Sequence, residues 1–198
     1  CMENIFLSYS APNGAVGGYN PVALITELDI HGRNYIENNF IAGTFDEWGA
    51  FAVTGYDGNL WPGTSRQITA VVRDITGTIA PDQVAFTGGT VSIYSGIVPN
   101  YGESAEDPDT AFYGANDGIL IASFQVFGGG GALQNFDPSN GELTVDMAAT
   151  YLAAGYWFTE GGTDLSTMTD DIVGKVTVNA SIVDPTTGQI FEWDEYLT

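Results

Sequence analysis

Residues Gly118–Phe127, GILIASFQVF, run straight into four glycines, Gly128–Gly131, and no other stretch narrows the fold as much. Ile119, Ile121 and Phe127 alternate with Leu120, Ala122, Phe124 and Val126, so both faces of an extended chain are apolar here. A run this short, ended by glycine, predicts a strand buried on both sides rather than a helix. Beyond it, Leu143, Val145 and Met147 alternate with Thr144, Asp146 and Ala148, which predicts a strand with one wet face. Tyr156-Trp157-Phe158 is a dense aromatic group of the kind that fills the space between two sheets.

The rest of the chain repeats the pattern. Period-two alternation marks Asn4–Ser10, Val22–Ile30, Thr44–Thr54, Arg66–Ile75, Gly174–Asp184 and Gln189–Tyr196 as strands, while Asn34–Ala42 is ambiguous. Val84–Phe86 and Thr90–Tyr94 read as two short strands or as one broken at Gly88-Gly89, a pair that marks a bulge or turn. Asp57-Gly58 is a hairpin signal, and Ala148–Ala154 is the one place that invites a turn or two of helix. About ten short strands between Gly-, Pro- and Asp-marked turns predict an all-β fold, an antiparallel β-sandwich of jelly-roll type. Residues 1–198 are read as a single domain, with a long polar loop at 98–117.

Charge sets limits on partners. There are 25 acidic residues against four basic ones, a formal net charge of -21. Such a chain repels nucleic acid and anionic lipid and favours cations, basic partners or a saline medium. No stretch is long and apolar enough for a transmembrane helix. The only cysteine, Cys1, rules out an intramolecular disulfide. It is either the lipid-modified first residue of a mature lipoprotein or simply the point where this sequence starts.

Motifs for catalysis are sparse. His31 is the only histidine, clustered Cys and His of zinc-site spacing are absent, and no G-x-S-x-G elbow occurs. Glu47 beside Trp48 and Glu192 beside Trp193 are the nearest approach to glycosidase carboxylates, and are more simply read as outer-face acids next to core indoles. The expectation is a non-enzymatic protein.

Calcium is the better-supported ligand, because hard cations take carboxylate, hydroxyl and amide oxygens from acidic loops. Asp137, Ser139, Asn140 and Glu142 supply oxygens around Gly141, and Glu106, Asp107 and Asp109 form a second group. Trp61 and Tyr101 lie in loops, where an aromatic ring suits a sugar face, and Asp57 and Asn59 would form its polar rim. Strand-like segments near both ends suit self-association by strand exchange, through Ile5, Leu7 and Tyr9 at one end and Ile190, Trp193 and Tyr196 at the other.

One resemblance adds to these readings. The run Asp117–Phe124, the glycines after it, Tyr156-Trp157-Phe158 and Gly162-Thr163-Asp164 resemble exported bacterial proteins of the PEP-CTERM sorting class. The likeness covers roughly residues 117–182, and the Pro-Glu-Pro tripeptide, apolar helix and basic tail of that class are not in this sequence. It implies a Gly- and Asp-rich β-domain tied to exopolysaccharide or biofilm matrix. The expected role is an extracellular or cell-surface structural subunit of an assembly, filament or matrix, self-associating and meeting polysaccharide. The alternative is a calcium-dependent carbohydrate-binding module.

Overall fold

The computed structural model describes residues 5–7, 28–39, 41–56, 58–60, 67–80, 83–96, 112–134, 137–159, 161–169, 173–183 and 190–197. Its strands are β1 Ile5–Leu7, β2 Leu28–Asn39, β3 Thr44–Tyr56, β4 Asn59–Leu60, β5 Gln67–Ala80 and β6 Gln83–Gly96, then β7 Ile119–Gln134, β8 Asp137–Leu152, β9 Trp157–Thr159, β10 Val173–Val183 and β11 Ile190–Leu197. Two single 3-10 turns, Phe112–Gly114 and Leu165–Thr167, are the only helical elements among the described residues. The all-β class is as expected, whereas Ala148–Ala154 makes no helix: β8 runs on to Leu152 with Met147, Ala149 and Leu152 buried.

All the pairings are antiparallel, and the main sheet does not divide into two facing layers in jelly-roll order. Each strand pairs with its neighbour in sequence: β3 with β5, then β5 with β6, β6 with β7, β7 with β8, β8 with β10 and β10 with β11. β2 is bonded along both edges, to β11 through Leu28–Gly32 and to β3 along its whole length. The pairings of eight strands therefore run in a ring, the up-and-down arrangement by which an antiparallel sheet removes its own edges. β4 extends β3 through Gly55↔Leu60, and β1 and β9 form a separate two-stranded sheet. The shortest ladder of the ring joins β2 and β11, Leu28–Gly32 against Trp193–Leu197, and the next shortest joins β8 and β10, Leu143–Ala148 against Val173–Val178.

Bulges and glycines bend the sheet around. Register shifts fall at Val72–Thr76 in β5, opposite Glu47/Gly49 in β3 and Thr90/Gly88 in β6, and at Val126/Gly128 in β7. An extra residue in one strand sharpens local twist and curvature, and a belt of them curls a flat sheet. Gly89 takes φ +127°, and a Cβ there would strike Ile75. At Gly77 the ring of Phe45 lies where a side chain would otherwise sit, and Phe45 meets Phe86 edge-on with centroids 5.5 Å apart. Glycine is what lets these two rings close over β5, a contact worth about 1 kcal/mol beyond the area buried.

Inside the ring, alternate residues form one packed core. Phe51, Val53, Ile68, Ala70, Val72, Val91, Ile93, Phe124, Val126, Leu143, Val145 and Met147 are all buried in it. Outside, β5–β8 carry Thr78, Thr87, Gln125 and Thr150, all exposed. A membrane-spanning barrel turns an apolar band outward and a polar lumen inward, the reverse of these four strands. Among the described residues, no helix is long and apolar enough to cross a membrane.

This arrangement corrects the reading of Ile119–Phe127 as buried on both faces. Ala122, Phe124 and Val126 are buried, but Phe127 is 59 % exposed and Ile119 is 43 % exposed. Ile121 is buried because a shift between Ile93↔Ala122 and Tyr94↔Leu120 turns it out of the alternation. A single layer has one inner face, so only half of an apolar strand can be covered by it.

Candidate functional site

The strand order separates two kinds of connection. The hairpin pairs Asn39↔Thr44, Ala80↔Gln83, Gln134↔Asp137 and Val183↔Ile190 lie together at one end of the ring. The connections there are short. At the other end are the long ones, residues 57–66, 97–118 and 153–172. These segments contain ten acids: Asp57; Glu103, Glu106, Asp107, Asp109 and Asp117; and Glu160, Asp164, Asp170 and Asp171. Arg66 is their only base, and the four hairpin turns contribute just Asp82 and Asp184. The uneven charge of the sequence thus becomes a polar asymmetry of the fold.

Part of this end is a built cap. After β8, Tyr156, Trp157 and Leu165 turn back into the core, and the Trp157 indole Nε1 donates 2.7 Å to the Ile121 carbonyl. That carbonyl also accepts from Ala153 N at 2.9 Å, so the backbone oxygen at the β7 bulge is fully used. The Asp164 carboxylate accepts from Gly155 N at 2.7 Å and from Ser166 N at 2.9 Å, tying the turn after β8 to the start of the second 3-10 turn. Asp164 is therefore a structural acid. The aromatic group Tyr156–Phe158 is buried as expected, though it closes the end of a ring rather than lying between sheets.

A second anchoring point lies on the outer wall. Ala50 and Val71 point outward yet are fully buried, because Phe112 and Ala115 cover them. The Arg73 guanidinium sits 3.9 Å from the Phe112 ring centroid, and Thr69 Oγ1 donates 2.6 Å to the Ala115 carbonyl. Sequence reasoning missed this contact. Its signal was Val71, an apolar residue on the otherwise polar face of β5.

The structure sorts the sequence-based candidates by end. Asp57, Asn59 and Trp61 belong to the chain joining β3 to β5, and Tyr101, Glu106, Asp107 and Asp109 to the chain joining β6 to β7, so both sets arise at the acid-rich end. Asn59 is exposed in β4, while Asp57, Trp61, Tyr101, Glu106, Asp107 and Asp109 lie outside the described residues. Asp137, Ser139, Asn140 and Glu142 are at the opposite end, among the first residues of β8: Asp137 is matched to Gln134 and Glu142 to Ala132, and a register shift between Gln134↔Asp137 and Leu133↔Gly141 falls across Pro138–Asn140. Among the described residues, no group of three or more His, Cys, Asp or Glu could hold a metal ion.

Ile5 and Leu7 lie in β1, matched to Thr159 and Trp157 of β9, and Tyr9 is outside the described residues. Ile190, Trp193 and Tyr196 lie in β11, which is paired to β10 on one edge and to β2 on the other. β11 is thus not an edge strand, and has no open edge along Trp193–Leu197 for an incoming chain. His31, the only histidine, is exposed within β2. Glu47, expected on an outer face, is 6 % exposed and pairs in register with Ile75 and Ile36. It shares the inward face of β3 with Phe45, Phe51 and Val53, which alternate without a break. In comparisons with protein-family models, with curated proteins and with solved structures, no match was found.

Proposed function

We propose that the chain is a non-enzymatic structural subunit of an extracellular or cell-surface assembly, making its contacts through the acid-rich end of the strand ring. One observation carries this reading: the long connections, with ten acids against one base, gather at one end of a scaffold whose interior is filled with side chains. A packed core leaves recognition to the surface, and a single-sign end draws divalent cations or basic groups of neighbouring molecules. Assembly by strand exchange loses support from the two-sided pairing of β11, so contacts through the connections are favoured. The resemblance to exported matrix proteins agrees with this role. Sedimentation velocity with and without calcium tests it: calcium-dependent growth beyond the monomer is expected, and a monomer under both conditions refutes it.

A second reading has its own support. The sugar-face candidates Asp57, Asn59, Trp61 and Tyr101 and the acids Glu106, Asp107 and Asp109 belong to neighbouring connections at one end, as a calcium-dependent carbohydrate-binding module requires. Calorimetric titration with calcium, then with polysaccharide in its presence, distinguishes this reading by heat released from a protein that stays monomeric.

A further inference from the structure

We infer that residues 112–118 form a strap that opens independently of the strand ring, latched by Phe112 under Arg73. Phe112 has φ +41°, a left-handed conformation that an aromatic L-residue adopts only when its surroundings impose it. What imposes it is visible. The ring is 3 % exposed, with the Arg73 guanidinium 3.9 Å from its centroid. Two residues on, Gly114 takes φ +79°, and Ala115 N then donates 2.8 Å to the Phe112 carbonyl. The Ala115 carbonyl receives the buried Thr69 hydroxyl at 2.6 Å. Gly118 brings the chain back into β7, so close to Ser95 that a Cβ would lie 2.8 Å from its carbonyl.

The strap belongs to no strand ladder and packs on the wall through the Phe112 ring, Ala115, the Arg73 cation and the Thr69 hydroxyl, whereas each strand of β5–β8 is held by ladders on two edges. Regions with few buried apolar groups and little backbone pairing open at lower free energy than the core around them. Opening relieves the strain at Phe112 and uncovers Ala50 and Val71, the apolar window on the outer wall. Because residues 112–118 are the last part of the acidic connection from β6 to β7, the latch also fixes where that connection meets the wall.

Hydrogen–deuterium exchange by mass spectrometry tests the strap on the full chain, comparing peptides over 112–118 with peptides from β5–β8 in wild type, Arg73→Gln, Arg73→Lys and Phe112→Ala. Strap amides of the wild type should exchange at least about a hundredfold faster than the β5–β8 core, by a route insensitive to low denaturant. Arg73→Gln should speed strap exchange by about tenfold or more with core rates unchanged, and Arg73→Lys, which keeps a cation over the ring, by less. Phe112→Ala should release the strap fully while the strands stay protected. Strap amides exchanging at the core rate, strap rates untouched by Arg73→Gln, or loss of core protection in Phe112→Ala would each overturn the inference.

Discussion

Gly128, Gly129 and Gly130 are alike in sequence and should respond to alanine in opposite ways. A Cβ at Gly128 meets nothing within 4 Å, and its φ is not in the left-handed region. At Gly129, φ is +108°, and a Cβ would run into the Thr144 carbonyl oxygen and lie 2.8 Å from Val145 Cα. At Gly130, φ is +148°, and a Cβ would run into the Val84 carbonyl oxygen of the opposite neighbour, β6. The glycines therefore let β7 approach both adjacent backbones where the sheet bends. Forcing an L-residue into that φ costs about 1–2 kcal/mol. Moving a paired backbone to admit the methyl adds about 1–3 kcal/mol. Gly129→Ala and Gly130→Ala should each lose about 3 kcal/mol or more, a large share of a typical 5–15 kcal/mol. For a chain of this length that lowers the melting temperature by about 6–12 °C. Gly128→Ala should be neutral or stabilise by up to about 1 kcal/mol, since it only restricts the unfolded chain. Urea denaturation followed by Trp fluorescence measures all three. Equal midpoints for Gly128→Ala and Gly129→Ala would refute the reasoning.

Other substitutions probe other parts. Trp157→Phe removes the indole donor to Ile121 O, which keeps Ala153 N as partner, so a loss of about 1–2 kcal/mol by thermal melting is expected. Asp164→Ala strands two backbone N–H groups and should cost about 2–3 kcal/mol, with Asp164→Asn costing less. Glu37 and Asp46 are exposed and directly opposed across β2 and β3, so Glu37→Lys should stabilise by about 0.5–1 kcal/mol in dilute buffer and by much less in 1 M salt.

Most strands were legible because alternation reports a one-sided burial directly. Ile68, Ala70 and Val72 face inward and Thr69, Val71 and Arg73 outward, as the period-two pattern required. Gly88-Gly89 is a bulge within one strand, and Asp57-Gly58 separates β3 from β4, again as residue chemistry dictates. The closing of the sheet was not legible. Alternation says which face is inside but not whether that face packs on a second sheet or on its own continuation. The distinction lies in accumulated twist and in bulges such as the one at Val72–Thr76 of β5, which no single window of sequence displays. Glu47 went wrong for a simpler reason: its position in the alternation, in step with Phe45, Phe51 and Val53, outweighs its charge. Of the candidate site, the acidic connections were legible as loops, but their gathering at one end follows only from strand order. The group Asp137–Glu142 reads locally as a turn through Pro, Asn and Gly, and in the fold it opens β8 with a register shift between Asp137 and Gly141.

The ring itself is tested most directly where β2 meets β11. Interstrand nuclear Overhauser contacts between backbone protons of Ile30 and Glu195, and of Leu28 and Leu197, are expected in a monomeric sample that also shows Ile30–Val53 contacts. Finding β2 bonded to β3 alone, with the amides of Trp193–Leu197 freely exchanging on the side facing β2, would contradict the closed arrangement.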